Sequence, residues 1–145
     1  RAVRPYADPF AFVAESPAYG VLKAGYADDI ARAEGIAAAE SRPSGRIFLL
    51  PAEKWARRIS GVYGNRLAVA APAQAHAVLT AKPDGGYLVS VRAPLAAKAG
   101  ADVLCSQFDT GGGRKAAAGI NHLPEAELGR FIAAFYTVFS GIQTA

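Results

Sequence analysis

Nine consecutive residues, Gly111 to Gly119 with the sequence GGGRKAAAG, constrain the fold of this chain more than any other segment. Three adjacent glycines contribute no side chains to a core and lose more conformational entropy on folding than other residues, so they need a local reason. Without Cβ atoms, their backbone N–H groups can converge on an anion, and the two cations that follow them are suited to phosphate. The phosphate-binding candidates in this run are therefore Gly111, Gly112, Gly113, Arg114, Lys115 and Gly119.

The glycine run also has a simpler interpretation, which is a flexible loop carrying two solvated cations. It is not a Walker loop, because no Ser or Thr follows the basic residues, and it lacks the GxGxxG turn of dinucleotide-binding domains. On these residues alone, both a phosphate-binding loop and a solvated loop stay open.

A β-hairpin is predicted upstream of the glycine run. Its strands cover Gln74 to Lys82 and Tyr87 to Arg92, joined by turn residues at positions 83–86. The alternation of a strand places Ser90 and Arg92 on the same face. The arginine is suited to bidentate hydrogen bonding with a phosphate and the serine supplies one hydroxyl. An exposed arginine on a half-buried strand is the alternative.

Between residues 46 and 71 the pattern predicts a strand, a helix and a second strand. The apolar run Ile47 to Leu50 is typical of a buried strand, and Pro51 suits the first turn of a helix. We expect this helix to end at Gly64 and Asn65, and the second strand to follow over Leu67 to Ala71.

Two further helices complete the predicted domain. One covers Leu95 to Gln107, and an amphipathic helix begins at Pro124. The sequence thus predicts an α/β fold with a mixed β-sheet of about five strands flanked by helices.

Residues 1–43 differ in composition from the rest of the chain, because prolines and aromatic side chains are scattered along them. One helix is expected there, capped by Asp28 or Asp29 and running towards Glu40. We interpret residues 1–43 as a connector that packs on another lobe, and residues 44–145 as the folded domain.

Composition excludes several classes of protein. No segment approaches the roughly 20 apolar residues of a membrane span, and no signal peptide is recognisable, so a soluble cytoplasmic protein without membrane contact is expected. One cysteine, Cys105, forms no internal disulfide and has no zinc-site spacing. The net charge of +4 favours anionic partners. With no methionine and Arg1 at its start, the sequence is expected to be a piece of a longer polypeptide.

The hairpin strand ending in Ser90-Val91-Arg92, the helix after it, the glycine run and the last helix together resemble the C-terminal DHH-associated domain of DHH-type phosphoesterases. That family includes RecJ-like exonucleases, nanoRNases and cyclic-dinucleotide phosphodiesterases. The resemblance covers about residues 46–140. The family pattern, S-x-R-S followed by GGGHxxAAG, is matched by Ser90, Arg92, Gly111, Gly112, Gly113, Ala117, Ala118 and Gly119. Ala93 and Arg114 depart from it, standing where the family has serine and histidine.

The resemblance implies a lobe that binds a nucleotide or short single-stranded nucleic acid and is not catalytic by itself. In the family, aspartates and histidines of a preceding DHH lobe of the same polypeptide hold divalent metal, Mn or Mg, and the parent protein is then a metal-dependent phosphoesterase. This sequence has no DHH tripeptide. We interpret its histidines, His76 and His122, as partly exposed or locally bonded side chains rather than as ligands.

Two other functions are considered. Similar domains occur at the end of alanyl-tRNA synthetases, which implies an RNA-binding module. An acyl-group or cofactor-binding enzyme with Cys105 as nucleophile is disfavoured, since no histidine lies near it in sequence and a buried structural thiol is simpler.

Overall fold

The computed structural model describes residues 27–143 of the chain. The chain divides into two units, Arg1–Arg32 and Ala33–Ala145, and the described part of the first is helical. Helix α1 comprises residues 27–34. The proline-rich and aromatic opening of the predicted connector lies outside the described residues, and its boundary at residue 43 stays a prediction.

The second unit is an α/β domain with one mixed six-stranded sheet, which confirms the predicted fold class. The strands are β1 (Glu40–Arg42), β2 (Gly45–Leu50), β3 (Ala75–Ala81), β4 (Tyr87–Arg92), β5 (Gly111–Gly113) and β6 (Ala117–Leu123). The helices are α2 (Lys54–Ala70), α3 (Ala101–Cys105) and α4 (Leu128–Gln143), with a 3₁₀ turn at Glu125–Glu127 before α4. Within residues 27–143, none of the helices could span a lipid bilayer.

The strands lie in the order β1-β2-β3-β4-β6-β5. Strands β2 and β3 are parallel and α2 connects them, while every other neighbouring pair is antiparallel. The two faces of the sheet are covered differently. On one face, β3 and β4 pack against α2. The other face forms the main core with α3 and α4, in which Phe131, Phe135 and Phe139 are fully buried at helical spacing.

Helix α2 is longer than the sequence predicts. It continues through Gly64 and Asn65 to Ala70, so the strand expected over Leu67 to Ala71 is wrong. Two parallel strands need a long crossover, and the buried face of α2, which includes Tyr63 and Leu67, packs on the sheet along that crossover. Tertiary packing therefore overrides the local helix-ending preference of Gly64-Asn65.

Three other helix predictions need correction. The helix expected from Pro51 begins at Lys54. The helix expected over Leu95 to Gln107 is only α3, because Gly100 at φ 110° starts it in a left-handed conformation. The helix expected to run towards Glu40 does not reach it, because Glu40 pairs with Ile47 in the sheet. The predicted hairpin of β3 and β4 is confirmed.

Candidate functional site

The glycine run is a strand, β5, and not the loop that the sequence predicts. It lies at the edge of the sheet and pairs with β6, Gly111 opposite Ile120 and Gly112 opposite Gly119. Thr110, directly before this strand, has a positive φ of 63°. Its hydroxyl accepts a hydrogen bond from the backbone N–H of His122 on β6 and donates one to the carbonyl oxygen of the same residue. These bonds between distant segments hold the run in an extended conformation.

Three of the glycines are required by close packing. A Cβ at Gly111 would overlap the carbonyl oxygen of α3's last residue. At Gly113, φ is 145° and a Cβ would lie 2.5 Å from the backbone of β6. At Gly119 it would lie 2.7 Å from a carbonyl oxygen of β4. A Cβ at Gly112, by contrast, would meet nothing within 4 Å, so Gly112 leaves open space above the sheet.

Four of the sequence-predicted residues, Ser90, Arg92, Gly112 and Gly119, lie on one face of three neighbouring strands. Ser90 of β4 lies opposite Gly119 of β6, which lies opposite Gly112 of β5. Arg92 lies opposite Ala117. Residues directly opposite each other point to the same face of a sheet. Ser90, Gly112 and Gly119 thus form one row, which we call the glycine row, with Arg92 two residues along.

Arg92 is held by the neighbouring helix α2. Its Nε donates to Oδ1 of Asn65 at 2.6 Å, its Nη2 to the carbonyl oxygen of Gly61 at 3.2 Å, and its Nη1 to that of Val91 at 3.1 Å. Within residues 27–143 no carboxylate forms an ion pair with it. Burial, and then the charge of Arg114, lower the pKa of Arg92. The site therefore holds a half-buried cation with no anion among the described residues to balance it.

Arg114 and Lys115 are exposed directly after β5. In the described part of the chain, neither side chain has a hydrogen-bond or ion-pair partner. The charge of Arg114 contributes to the lowered pKa of Arg92. The half-buried hydroxyl of Ser90 is also unpartnered among the described residues. The arrangement thus offers hydrogen-bond donors and positive charge to an anion.

Sequence reasoning missed the contribution of α2 to this site. Gly61 and Asn65 contact Arg92, and Gly64 packs against its side chain. Their spacing of three and four residues, which places them on one helix face, was the available signal. It was obscured because Gly64-Asn65 is also typical of a helix end.

Neither histidine lies in a metal-binding cluster. His76 is buried, and its Nε2 lies 3.0 Å from Nη2 of Arg46, while Nδ1 of His122 lies 3.2 Å from Nζ of Lys82. Burial, and then the charge of Arg46, lower the pKa of His76 to about 4. Among residues 27–143, no three His, Cys, Asp or Glu side chains are grouped to hold a metal ion.

Cys105 is fully buried at the end of α3. Burial raises the pKa of its thiol to about 12, with Arg92 lowering it and Asp102 raising it further. A nucleophilic cysteine needs an accessible thiolate, so this environment disfavours the interpretation of Cys105 as a nucleophile.

Comparison with known proteins supports the fold implied by the motifs. No protein-family model matches the sequence, and no curated protein matches it at a significant level. Among solved structures, the pGpG-specific phosphodiesterase PggH from Vibrio cholerae superposes with a TM-score of 0.54 at 11% identity, over 86% of this chain and 41% of that one. A DHH domain from a member of the s1p family of ribosomal proteins gives a TM-score of 0.54 at 16% identity, over 88% and 32%.

The domain therefore shares its fold with part of a phosphodiesterase and with part of a protein that contains a DHH domain. The chain spans less than half the length of either of these two proteins.

Proposed function

We propose that this domain is the substrate-binding lobe of a DHH-family phosphoesterase, and that it holds a phosphate of a nucleotide or short single-stranded nucleic acid at the glycine row. The observation that carries the proposal is Arg92, a half-buried cation without a carboxylate partner in the described chain, beside a row where Gly112 leaves open space. The fold shared with a phosphodiesterase and a DHH domain supports it.

In this proposal the charged donors around the row bind the phosphate together. Arg92 has five N–H groups, of which three donate to described residues, so two have no acceptor within residues 27–143 and would be offered to a phosphate oxygen. Ser90 adds a hydroxyl, and Arg114 and Lys115 add charge. Each charge-assisted hydrogen bond of this kind contributes about 1.5–3 kcal/mol. Gly112, with no side chain, lets the ligand approach the backbone.

Hydrolysis would require groups beyond those described. In this proposal a preceding DHH lobe of the same polypeptide, which the resemblance implies, would hold the divalent metal, and no chemical step is assigned to residues 27–143. We expect the 145-residue chain to bind its ligand without cleaving it.

Arg114 alters how phosphate is recognised. A histidine at this position would be partly neutral near pH 7, whereas arginine stays charged and offers a planar set of donors.

The test is calorimetric titration of the chain with pGpG and with the nucleoside guanosine, which carries no phosphate. Tighter binding of pGpG that weakens steeply with salt supports the proposal, because counterions are released when phosphates are neutralised. Equal binding of the two would contradict it. Binding of longer RNA regardless of a terminal phosphate would favour the RNA-binding module instead.

A further inference from the structure

Three residues on one face of α2 surround the side chain of Arg92. A Cβ at Gly61 would lie 3.3 Å from Nη2 of Arg92, and one at Gly64 would lie 3.3 Å from its Cγ. Asn65 accepts the Nε hydrogen at 2.6 Å, and the carbonyl oxygen of Gly61 accepts from Nη2. We call Gly61, Gly64 and Asn65 the α2 cradle.

The composition of the α2 cradle is unusual for the middle of a helix. Glycine and asparagine are poor helix formers, and α2 has three of them within five positions. The side chain of Arg92 fills the space beside Gly61 and Gly64, so a Cβ at either position would contact it closely. Arg92 packing thus accounts for residues that otherwise weaken the helix.

The neutrality of Asn65 is the second part of the argument. A carboxylate partner would orient an arginine through a strong, often bidentate pair, but it would also offset the positive charge. The Asn65 amide oxygen orients Nε without adding a negative charge, so the positive charge of Arg92 is not offset at this contact. Since Nε carries one hydrogen and the guanidinium is planar, this bond fixes the plane in which the two available N–H groups lie.

We infer that Asn65 is a positioning residue for the phosphate-binding arginine: the α2 cradle orients Arg92 without neutralising it, so that Arg92 binds the phosphate as a preorganised cation. This inference rests on the function proposed above. Preorganisation matters because a long side chain that is already ordered loses less conformational freedom when it binds.

The experiment is a double-mutant cycle with pGpG as the ligand. Binding is measured for the chain and for Arg92→Ala, Asn65→Ala and the variant with both changes. We expect Arg92→Ala to weaken binding about 10-fold to 100-fold and Asn65→Ala about 3-fold to 10-fold. In the double variant, affinity should equal that of Arg92→Ala within about twofold, because Asn65 acts only through Arg92.

Asn65→Asp separates orientation from charge. It keeps the acceptor for Nε, so the thermal unfolding midpoint should be at least that of the parent chain. The new carboxylate also offsets the positive charge of Arg92, so pGpG binding should weaken. For the same reason, the slope of log affinity against log salt should become shallower. A role for Asn65 in stability alone would leave both the affinity and the slope unchanged, and that result would overturn the inference.

Arg66→Ala is the matched control. Arg66 adjoins Asn65 on α2 but is exposed and pairs with Glu34 at 3.0 Å, so its loss should leave pGpG affinity within about twofold. If Arg92→Ala has no effect, the proposed function fails. If Arg92→Ala weakens binding and Asn65→Ala does not, or if their effects multiply, the positioning role fails while the function stands.

Discussion

The Nη2 atom of Arg46 on β2 lies 3.0 Å from the Nε2 atom of His76 on β3, on the sheet face that also carries Arg92. A guanidinium only donates hydrogen bonds, so His76 accepts through Nε2 and is neutral. In the sheet register, His76 lies opposite Arg46 on one side and Arg92 on the other. A proton added to this ring would be buried beside the guanidinium of Arg46.

The stability of the domain should therefore fall in mild acid. The pKa of His76 is about 4 in the folded domain against 6.5 for a free histidine, so the unfolded chain binds the proton more readily between these values. The stabilisation by neutral His76 is complete above pH 6.5 and is lost as the pH falls towards 4. The expected slope approaches about 1.4 kcal/mol per pH unit.

Urea unfolding between pH 7.5 and pH 4 measures this effect. His76→Gln keeps an acceptor for Arg46 but does not titrate, so its stability should fall less over the same range. Parallel pH curves for the two proteins would show that other groups cause the loss.

Gly112→Ala should separate ligand binding from folding. A Cβ at Gly112 has no atom within 4 Å, so the unfolding free energy should change by less than about 0.5 kcal/mol. If a phosphate approaches the backbone there, the added methyl group should weaken pGpG binding about 3-fold to 10-fold. Gly129→Ala is the control, since Gly129 on α4 also has open space around it. A Gly112→Ala protein with parental affinity would place the ligand elsewhere.

Arg114→Ala should weaken pGpG binding about 10-fold to 100-fold, because it removes a charge-assisted contact worth about 1.5–3 kcal/mol. Arg114→Lys should recover part of the loss, since the charge remains without the planar fork. Titration at two salt concentrations should also show a shallower salt dependence for the Ala variant. Affinity within about twofold of the parent chain would mean that Arg114 is only a solvated cation.

Cys105 should resist thiol reagents in the folded domain. Its thiol is fully buried and its pKa is raised to about 12, so almost no thiolate exists at neutral pH. We expect a colorimetric disulfide reagent to label it within minutes in denaturant and very slowly without. Rapid labelling of the native chain would contradict this prediction and would favour the interpretation of Cys105 as a nucleophile.

The parts of the site that depend on local alternation were predictable from sequence. Ser90 and Arg92 lie on one face of β4, as the period of a strand requires. The glycine run is recognisable in the sequence as a candidate phosphate-binding segment, but its strand conformation is not. Its pairing with β6 depends on a register between two segments, and residues without side chains show no alternation that would indicate a strand. At Gly64-Asn65 the sequence does show a local signal, the preference of these residues for a helix end. That preference is overridden by their contact with Arg92, so the predicted helix end is wrong.

The different surroundings of the glycines carry a consequence for evolution. Gly111, Gly113 and Gly119 are held by backbone atoms of the protein itself, so descendants that change or lose the ligand must still keep them in order to fold. Gly112 is under no such constraint from its own chain. Among related sequences, position 112 should therefore be the first of these glycines to vary when the substrate changes. A side chain at this position would indicate a protein that has lost the ligand or binds a different one.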